Sequence, residues 1–335
     1  MLHARKRGAI IIAPDYPLGP EGNYADICDS IRDFLRWYKE DGYFKDEKDD
    51  SESNSWQERI IKKINKKDIT IDKDRVFVEG ESAGGHAAVM ALWINAANDG
   101  PKLSVKSCLL RYPMLVHYAR DFPPENENNG MVIYMGEKFT QTDVTQRAKD
   151  IVAAINELEK WGLVPTRSKG YAPQNMSATL LLSITKLWQS VFQRKHGEKI
   201  GGPVDPTNPD YMDCLERVDR CVDTVDHDYL PPIAMYHGSK DPNCPIKYTE
   251  EFQQILLNKY PVYRRQGALS LREVSYLNWK YSFMKVGEGS SKKRELAWQP
   301  MDEVGHAFDY DLDTDREEFL KATYEDIDKV WLSKD

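Results

Sequence analysis

Short apolar runs alternate with stretches of helical periodicity along much of this chain. The first run, Ala9–Ala13, is β-branched at its centre and has no polar alternation, which predicts a strand buried on both faces of a parallel sheet. Ile27, Ile31 and Leu35 then recur at the spacing of one helix face, with aspartates on the opposite face. Further strands are predicted at 75–79, 107–112, 233–237 and 296–299, and a helix at 87–97.

A strand, a helix and a second strand follow one another between residues 75 and 112. At this spacing they predict a right-handed crossover, in which both strands run parallel in one sheet. The predicted fold class is therefore α/β, with a mostly parallel sheet and flanking helices.

The pattern changes between residues 115 and 228. Helices are predicted at 142–161 and 176–192 with no convincing buried strand, so we predict a mostly helical insertion at 115–228. The two parts of the α/β core are then 1–114 and 229–335. Four aromatic residues of the insertion either line a pocket or form its own core, and the sequence leaves both open: Phe139, Trp161, Trp188 and Phe192.

The composition limits the kinds of partner and the cellular compartment that are expected for this protein. Lys and Arg total 46 against 54 Asp and Glu, a formal net charge of −8, which argues against a nucleic-acid partner. The odd number of cysteines, five, does not fit a closed disulfide framework. The mean hydropathy is −0.64, and no apolar run approaches the length of about 18 residues that a membrane helix needs. Together these features predict a soluble, cytoplasmic protein without stable membrane insertion.

The strongest chemical signal is a glycine-rich segment between the strand at 75–79 and the helix at 87–97. Its serine, Ser82, is expected on a strained strand-to-helix turn that lifts the hydroxyl clear of the sheet. Gly80 and Gly84 are expected where two backbone segments approach too closely for a Cβ. The helix N-terminus behind the serine favours a developing oxyanion. The residues of this nucleophile turn are Gly80, Glu81, Ser82, Ala83, Gly84 and Gly85.

A serine nucleophile needs a general base and a carboxylate that orients the base. His306 lies in a loop after the last predicted strand, whereas His86 follows Ser82 too closely and is expected to be structural. Asp241 follows the strand at 233–237, and functional sites of open α/β sheets form at the carboxyl ends of strands. The order Ser82, Asp241, His306 is that of the α/β-hydrolase triad.

These segments resemble the hormone-sensitive-lipase-like esterases, the fold-3 group of α/β-hydrolases. The nucleophile turn is similar to their serine motif, and Asp15–Glu21 to their D-Y-R-L-A-P-E segment, with Pro17 and Gly19 in place of Arg and Ala. His237 and Gly238, followed by Asp241 and Pro245, resemble the acid segment of the family, and Gly305–Phe308 resembles its histidine loop.

The resemblance implies a fold and an activity. The fold would be an α/β-hydrolase core with a helical cap formed by the insertion, whose long polar loops are similar to those of some fungal members. The activity would be hydrolysis of small to medium carboxylic esters through an acyl-enzyme on Ser82. The backbone N–H of Ala83 would bind the oxyanion, and neither a cofactor nor a metal is expected.

One segment of that family has no counterpart in this sequence. The family takes further oxyanion donors from a His-Gly-Gly-Gly loop after its third strand, which should lie upstream of Ala9. We therefore expect an N-terminally incomplete chain whose sheet lacks its first strands. Because loss of one oxyanion donor lowers turnover by about 10²- to 10³-fold, impaired activity is also expected.

Two other functions fit the same fold, namely a non-catalytic ligand-binding pseudoenzyme and an amidase or peptidase. The sequence does not indicate the oligomeric state. Asp309–Asp315 resembles the start of a calcium loop but lacks its glycine and closing glutamate, so Asp313 or Thr314 is predicted to cap the last helix instead. Cys244 follows Asp241 closely and is expected near the mouth of the site without a catalytic role.

Overall fold

The structure is a computed structural model that describes residues 2–40, 55–64, 70–116, 120–134, 137–160, 172–198, 200, 207–263, 296–313 and 316–333. Its strands are β1 (Val76–Glu81), β2 (Val105–Arg111), β3 (Val132–Tyr134), β4 (Glu137–Phe139), β5 (Ile233–Gly238) and β6 (Leu296–Met301). Its α-helices are α1 (Leu2–Lys6), α2 (Tyr24–Lys39), α3 (Trp56–Ile64), α4 (Ser82–Ala96), α5 (Gln141–Lys160), α6 (Ala172–Ile184), α7 (Trp188–Phe192), α8 (Cys214–Arg220), α9 (Ile246–Lys259) and α10 (Glu318–Trp331).

The central sheet contains four strands in the order β1-β2-β5-β6, and each neighbouring pair is parallel. All four strands coincide with predicted strands to within two residues at both ends, so these predictions are confirmed. The helix α4 connects β1 to β2 in the predicted crossover, although it begins at Ser82, five residues earlier than the sequence predicts.

Both faces of this sheet are covered, as the unbroken apolar runs predict. Successive side chains of a strand point to opposite faces, and Cys108, Leu109 and Leu110 of β2 are all fully buried. Leu109 packs in one core cluster with the α10 side chains Phe319 and Leu320. Both α4 and α9 also contact the sheet. The burial of these strand side chains under helices confirms the predicted parallel sheet with flanking helices.

The predicted strand Ala9–Ala13 is wrong. These residues have no strand conformation, and the side chains of Ile10 and Ile11 are 39% and 55% exposed. A strand needs a hydrogen-bonded neighbour, and within the described residues β1 pairs with β2 alone. Apolar periodicity predicted the right composition for a buried strand but carries no information about an available partner.

The chain divides into two compact units. The first contains residues 1–14, 31–115 and 218–335, and the second contains residues 15–30 and 116–217. The second unit includes most of the insertion predicted at 115–228. Its role as a cap stays a prediction.

The second unit has its own core. β3 and β4 form an antiparallel hairpin that the sequence did not predict, and Val132 and Phe139 from it pack with α5 and α6 side chains. The helix predicted at 176–192 is split into α6 and α7, with Lys186 between them at a φ of 62°. The Trp188 and Phe192 rings stack with centroids 4.2 Å apart. Phe139, Trp188 and Phe192 are all buried, while Trp161 lies outside the described residues.

Two further observations concern the cysteines and the helices. All five cysteines are described, and each is buried and forms no disulfide. Within the described part of the chain, no helix combines the length and the apolar character needed to cross a bilayer.

The last helix, α10, begins at Glu318 with Glu317 as its N-cap residue, so the predicted cap at Asp313 is wrong. The alternative cap, Thr314, lies outside the described residues.

Candidate active site

Ser82 stands at an abrupt junction, where β1 ends at Glu81 and α4 begins with the serine itself. Its φ is 50°, in the left-handed region that non-glycine residues rarely occupy. Such strain persists only where the surrounding structure enforces it, and it concentrates at functional sites. Here the backbone N–H of Met114 donates to the carbonyl of Ser82 at 2.9 Å, which ties the turn to the segment after β2.

The glycines of the turn have different reasons for lacking a side chain. A Cβ on Gly80 would lie 2.4 Å from the carbonyl oxygen of Gly84, and one on Gly85 would lie 2.6 Å from Pro113 Cβ. Gly84 itself has open space around its Cβ position, so the steric reason predicted for it is wrong. Its backbone carbonyl, rather than its missing side chain, is what forces position 80 to be glycine.

The N-terminus of α4 points its free backbone N–H groups toward the turn. The first N–H groups of a helix have no acceptor within the helix, and Ala83 is the second residue of α4. Its N–H and the positive end of the helix dipole can stabilise negative charge next to Ser82. This is the chemistry that an oxyanion site requires.

Asp241 lies in the turn after β5, and its side chain is fully buried. One carboxylate oxygen, Oδ1, accepts the backbone N–H groups of Asn243 and Cys244 at 2.8 and 2.9 Å. The other, Oδ2, contacts His306 Nδ1 at 2.7 Å and His237 Nε2 at 3.2 Å. Burial alone would raise the pKa of Asp241, but these hydrogen bonds outweigh burial and lower it well below its usual range.

The ionised Asp241 determines which nitrogen of His306 carries a proton. A carboxylate can only accept, so Nδ1 must donate and Nε2 is left with a free lone pair in the neutral imidazole. The ring of Tyr112 packs edge-on against this imidazole, with centroids 4.9 Å apart and planes at 66°. The His306 side chain is 18% exposed, so its base is reachable while its orientation is fixed.

His237 is a second histidine on the same carboxylate, and it was assigned no role of its own from the sequence. Its Nε2 contacts both Asp241 Oδ2 and the carbonyl of Cys244, the latter at 2.6 Å, and both groups are acceptors, so Nε2 donates. Its Nδ1 accepts from the Thr249 hydroxyl at 2.9 Å. Its position, four residues before Asp241 at the end of a strand, was the available signal. His237 is fully buried. Its hydrogen bond to Oδ2 therefore helps to orient the Asp241 carboxylate without exposing a base to solvent.

Ser82 lies beside this pair without bonding to it. Among the described residues, Ser82 Oγ lies 4.0 Å from Cys244 Sγ, and no hydrogen bond joins Ser82 to His306. Cys244 Sγ also lies within 4.8 Å of a carboxylate oxygen of Asp241 and of a ring nitrogen of His306. The structure therefore joins Asp241 to His306 and places Cys244 next to Ser82.

Asp241, Cys244 and His306 also carry the side-chain types that bind metals such as zinc. Each carboxylate oxygen of Asp241 already accepts two hydrogen bonds, and His306 Nδ1 donates one of them. A metal bound through Asp241 would have to displace these donors. The hydrogen-bonded pair itself is suited to proton transfer.

Comparison with known proteins adds relatives of this chain. Residues 2–172 match the model of a family described as "alpha/beta hydrolase fold", a range that includes Ser82 and excludes Asp241 and His306. A curated relative, "Probable carboxylesterase M8" of Phoma sp., is 32% identical over 251 residues, which cover 75% of this chain. That alignment covers 63% of the relative, so the chain spans less than two thirds of the relative's length.

Solved structures with a similar course of the chain include two esterases. Esterase B from Lactobacillus rhamnosis, inhibited by a tributyrin phosphonate, is 13% identical with a TM-score of 0.44 and covers 95% of this chain and 64% of its own. The butyrate-bound esterase Est2 from Thermogutta terrifontis is 12% identical with a TM-score of 0.38 and covers 94% of this chain and 70% of its own.

Proposed function

Because the chain belongs to the alpha/beta hydrolase family, we propose that it is a serine hydrolase that cleaves carboxylic esters. The observation that carries the proposal is the 2.7 Å hydrogen bond between Asp241 and His306, formed beside a serine with a φ of 50°. The curated relative is named a probable carboxylesterase, which supports an ester as the substrate. Small to medium esters are the substrate class that the family resemblance implies.

In this mechanism Ser82 Oγ attacks the ester carbonyl while His306 Nε2 takes the serine proton. The oxygen of the tetrahedral intermediate accepts the N–H of Ala83 at the start of α4. Collapse of the intermediate expels the alcohol, which takes its proton from His306, and leaves the acyl group on Ser82. Water then attacks the acyl-enzyme with His306 again as base, releasing the acid and restoring the serine. Asp241 stays ionised throughout and stabilises the imidazolium.

The 4.0 Å contact between Ser82 Oγ and Cys244 Sγ is compatible with this sequence of steps. In free enzymes the hydrogen bond between nucleophile and base is often long, and it tightens in the substrate complex. A change of the Ser82 rotamer is the motion that the mechanism requires before attack.

The proposal is tested on the full 335-residue chain with a series of p-nitrophenyl esters of increasing acyl length. Ser82→Ala is expected to abolish turnover and labelling by a fluorophosphonate probe, because it removes the nucleophile. Ser333→Ala, a matched change at the hydroxyl that donates to Val330 O near the C-terminus, is expected to leave both unchanged. Undiminished turnover in Ser82→Ala would refute the assignment.

The competing function is a non-catalytic binder of small ligands, and the absence of a hydrogen bond between the described Ser82 and His306 is the observation in its favour. The fluorophosphonate probe separates the two functions. A folded wild-type protein whose Ser82 never labels supports the binder, whereas a labelled Ser82 supports the hydrolase. Comparison of a p-nitrophenyl ester with the p-nitroanilide of the same acid then decides between an esterase and an amidase.

A further inference from the structure

A buried network of charges and hydroxyls connects the histidine loop to the sheet. The loop runs from β6 to α10 and contains both His306 and Asp309. The Asp309 side chain is 1% exposed, so its carboxylate is removed from water almost completely. A carboxylate in such a position is stable only when its lone pairs are satisfied by donors.

Three donors satisfy Asp309: Arg111 at the end of β2, Tyr112 directly after it, and Tyr236 in β5. Arg111 Nη1 and the Tyr236 hydroxyl donate to Oδ2 at 2.7 and 2.5 Å. The Tyr112 hydroxyl donates to Oδ1 at 2.8 Å. Burial, together with the nearby Asp309 carboxylate, raises the pKa of both tyrosines, so their hydroxyls remain protonated donors across the working pH range.

The register of the sheet explains why two of these donors, Arg111 and Tyr236, converge. Glu81 of β1 pairs with Arg111 of β2, and Arg111 pairs with Tyr236 of β5. Residues in register on parallel strands project to the same face. This row therefore presents the Arg111 cation between the Glu81 carboxylate and the Tyr236 hydroxyl at the carboxyl end of the sheet.

Arg111 connects the two halves of the candidate site. Its guanidinium pairs with Glu81, the residue before Ser82, and with Asp309, three residues after His306. It also lies 3.2 Å from Glu79. Burial would lower the pKa of Arg111, but the surrounding acidic groups outweigh it and raise the pKa, so the side chain is always charged. One buried cation thereby ties the nucleophile turn to the histidine loop.

Tyr112 touches the imidazole directly. It is fully buried, its ring packs against His306, and its φ of 36° is unusual for a bulky residue. The hydroxyl of this ring holds Asp309 while its edge supports the imidazole. The strained tyrosine is thus the element through which a change at Asp309 reaches His306.

We propose that Asp309 is a positioning residue that fixes the imidazole of His306 against Asp241. The inference rests on the proposed function, because a positioned base matters most where it serves a nucleophile. It assigns a role to a residue that sequence patterns place only in an incomplete calcium loop.

The test uses two variants in the full chain, Asp309→Asn and Tyr112→Phe. The second keeps the ring beside His306 and removes only its hydroxyl, so it remains informative if the first does not fold. We expect ester turnover per fluorophosphonate-titrated site to fall by about 10- to 100-fold with a KM change of less than about threefold, because a misplaced base acts on the chemical step.

The matched controls are Tyr263→Phe, whose buried hydroxyl donates to Pro231 O rather than to this network, and the exposed Asp311→Asn of the histidine loop. Both are expected to keep wild-type turnover. A fall in melting temperature with unchanged turnover per titrated site in Asp309→Asn and Tyr112→Phe would overturn the proposal, because the network would then be purely structural.

A second readout does not depend on catalysis. The Nδ1 proton of His306, shared with a carboxylate, gives a far-downfield NMR signal that His306→Gln identifies by its loss. We expect this signal to move or broaden in Asp309→Asn and Tyr112→Phe and to persist in Tyr263→Phe. An unmoved signal in both test variants overturns the positioning role even if esters are hydrolysed. A moved signal in a protein that hydrolyses no ester leaves the role intact and removes the proposed function.

Discussion

At the scale of single residues, the carboxylate of Asp241 organises its neighbours. Two backbone N–H groups and two imidazoles donate to it, and each of its oxygens accepts twice. Because these donors keep Asp241 ionised, they also determine that His306 holds its proton on Nδ1. The sequence placed Asp241 and His306 correctly at strand ends. The position of His237 near Asp241 was a signal but not a sufficient one, because a histidine in an apolar strand has the same pattern whether it binds a carboxylate or packs in the core.

The 4.0 Å contact between Ser82 Oγ and Cys244 Sγ raises the question of whether the thiol takes part in catalysis. If Ser82 is the nucleophile, Cys244→Ala removes at most one weak thiol hydrogen bond, and we expect kcat to change by less than about tenfold. The measurement is p-nitrophenyl ester turnover beside Ser82→Ala under the same conditions. Complete loss in Cys244→Ala, with residual turnover in Ser82→Ala, would instead make the thiol the nucleophile.

At the scale of elements, close backbone approaches hold the strand-end loops in place. The turn after β5 and the histidine loop are joined by backbone bonds from Ser239 to Met301 and from Lys240 to Val304, of 2.7 and 3.0 Å. A Cβ on Gly238 would lie 2.3 Å from the Val304 carbonyl oxygen. The lack of a side chain at Gly238 therefore allows the two loops to meet.

Gly238→Ala is the change that tests this approach. The added methyl must push the backbone of the histidine loop away, and we expect a loss of about 1–3 kcal/mol in the free energy of unfolding. Turnover should fall further than stability explains, since the same loop carries His306. Urea unfolding and ester turnover measure both effects.

Gly84→Ala is the matched control for stability. Its Cβ would meet nothing within 4 Å, and it lies within α4, where alanine is favoured over glycine by about 0.5–1 kcal/mol. Equal stability of Gly238→Ala and wild type would contradict the steric argument.

The elements themselves differ in how far the sequence predicts them. Apolar runs at β1, β2, β5 and β6 gave correct strands because each run has a partner on at least one side. The run Ala9–Ala13 failed because periodicity is local and pairing is not. Asp309 shows the same limit, since its three donors come from strands at least 70 residues away along the chain. Spacing within one segment cannot show such a network.

At the scale of the whole molecule, the candidate site belongs entirely to the first unit. Ser82 comes from residues 31–115 of that unit, while Asp241 and His306 come from residues 218–335. Their placement after the carboxyl ends of strands was predictable, because functional sites of parallel sheets form at that edge. Their distances were not, because the rotamer of Ser82 and the course of the histidine loop depend on packing that no local pattern records.

The free energy of unfolding should depend on pH through the buried carboxylate of Asp241 in this unit. The pKa of Asp241 is lower in the folded chain than the value of about 3.9 expected when unfolded, so the unfolded state binds more protons in acid. Its contribution is complete above about pH 5 and is lost progressively as the pH falls toward the lowered pKa. A shift of this kind is on the order of 2 kcal/mol for a fully buried carboxylate.

Asp241→Asn should therefore be less stable than wild type at pH 6, and the difference should shrink at pH 3, because the asparagine does not titrate. Urea unfolding at the two pH values measures the difference. Asp143→Asn is the control, since the pKa of Asp143 is also lowered, by its hydrogen bonds with Thr140, but its carboxylate is exposed on a helix of the second unit. Its pH-dependent change should be much smaller, because solvent screens an exposed carboxylate. A difference between wild type and Asp241→Asn that stays constant from pH 6 to pH 3 would mean that the Asp241 carboxylate is not held ionised by the fold.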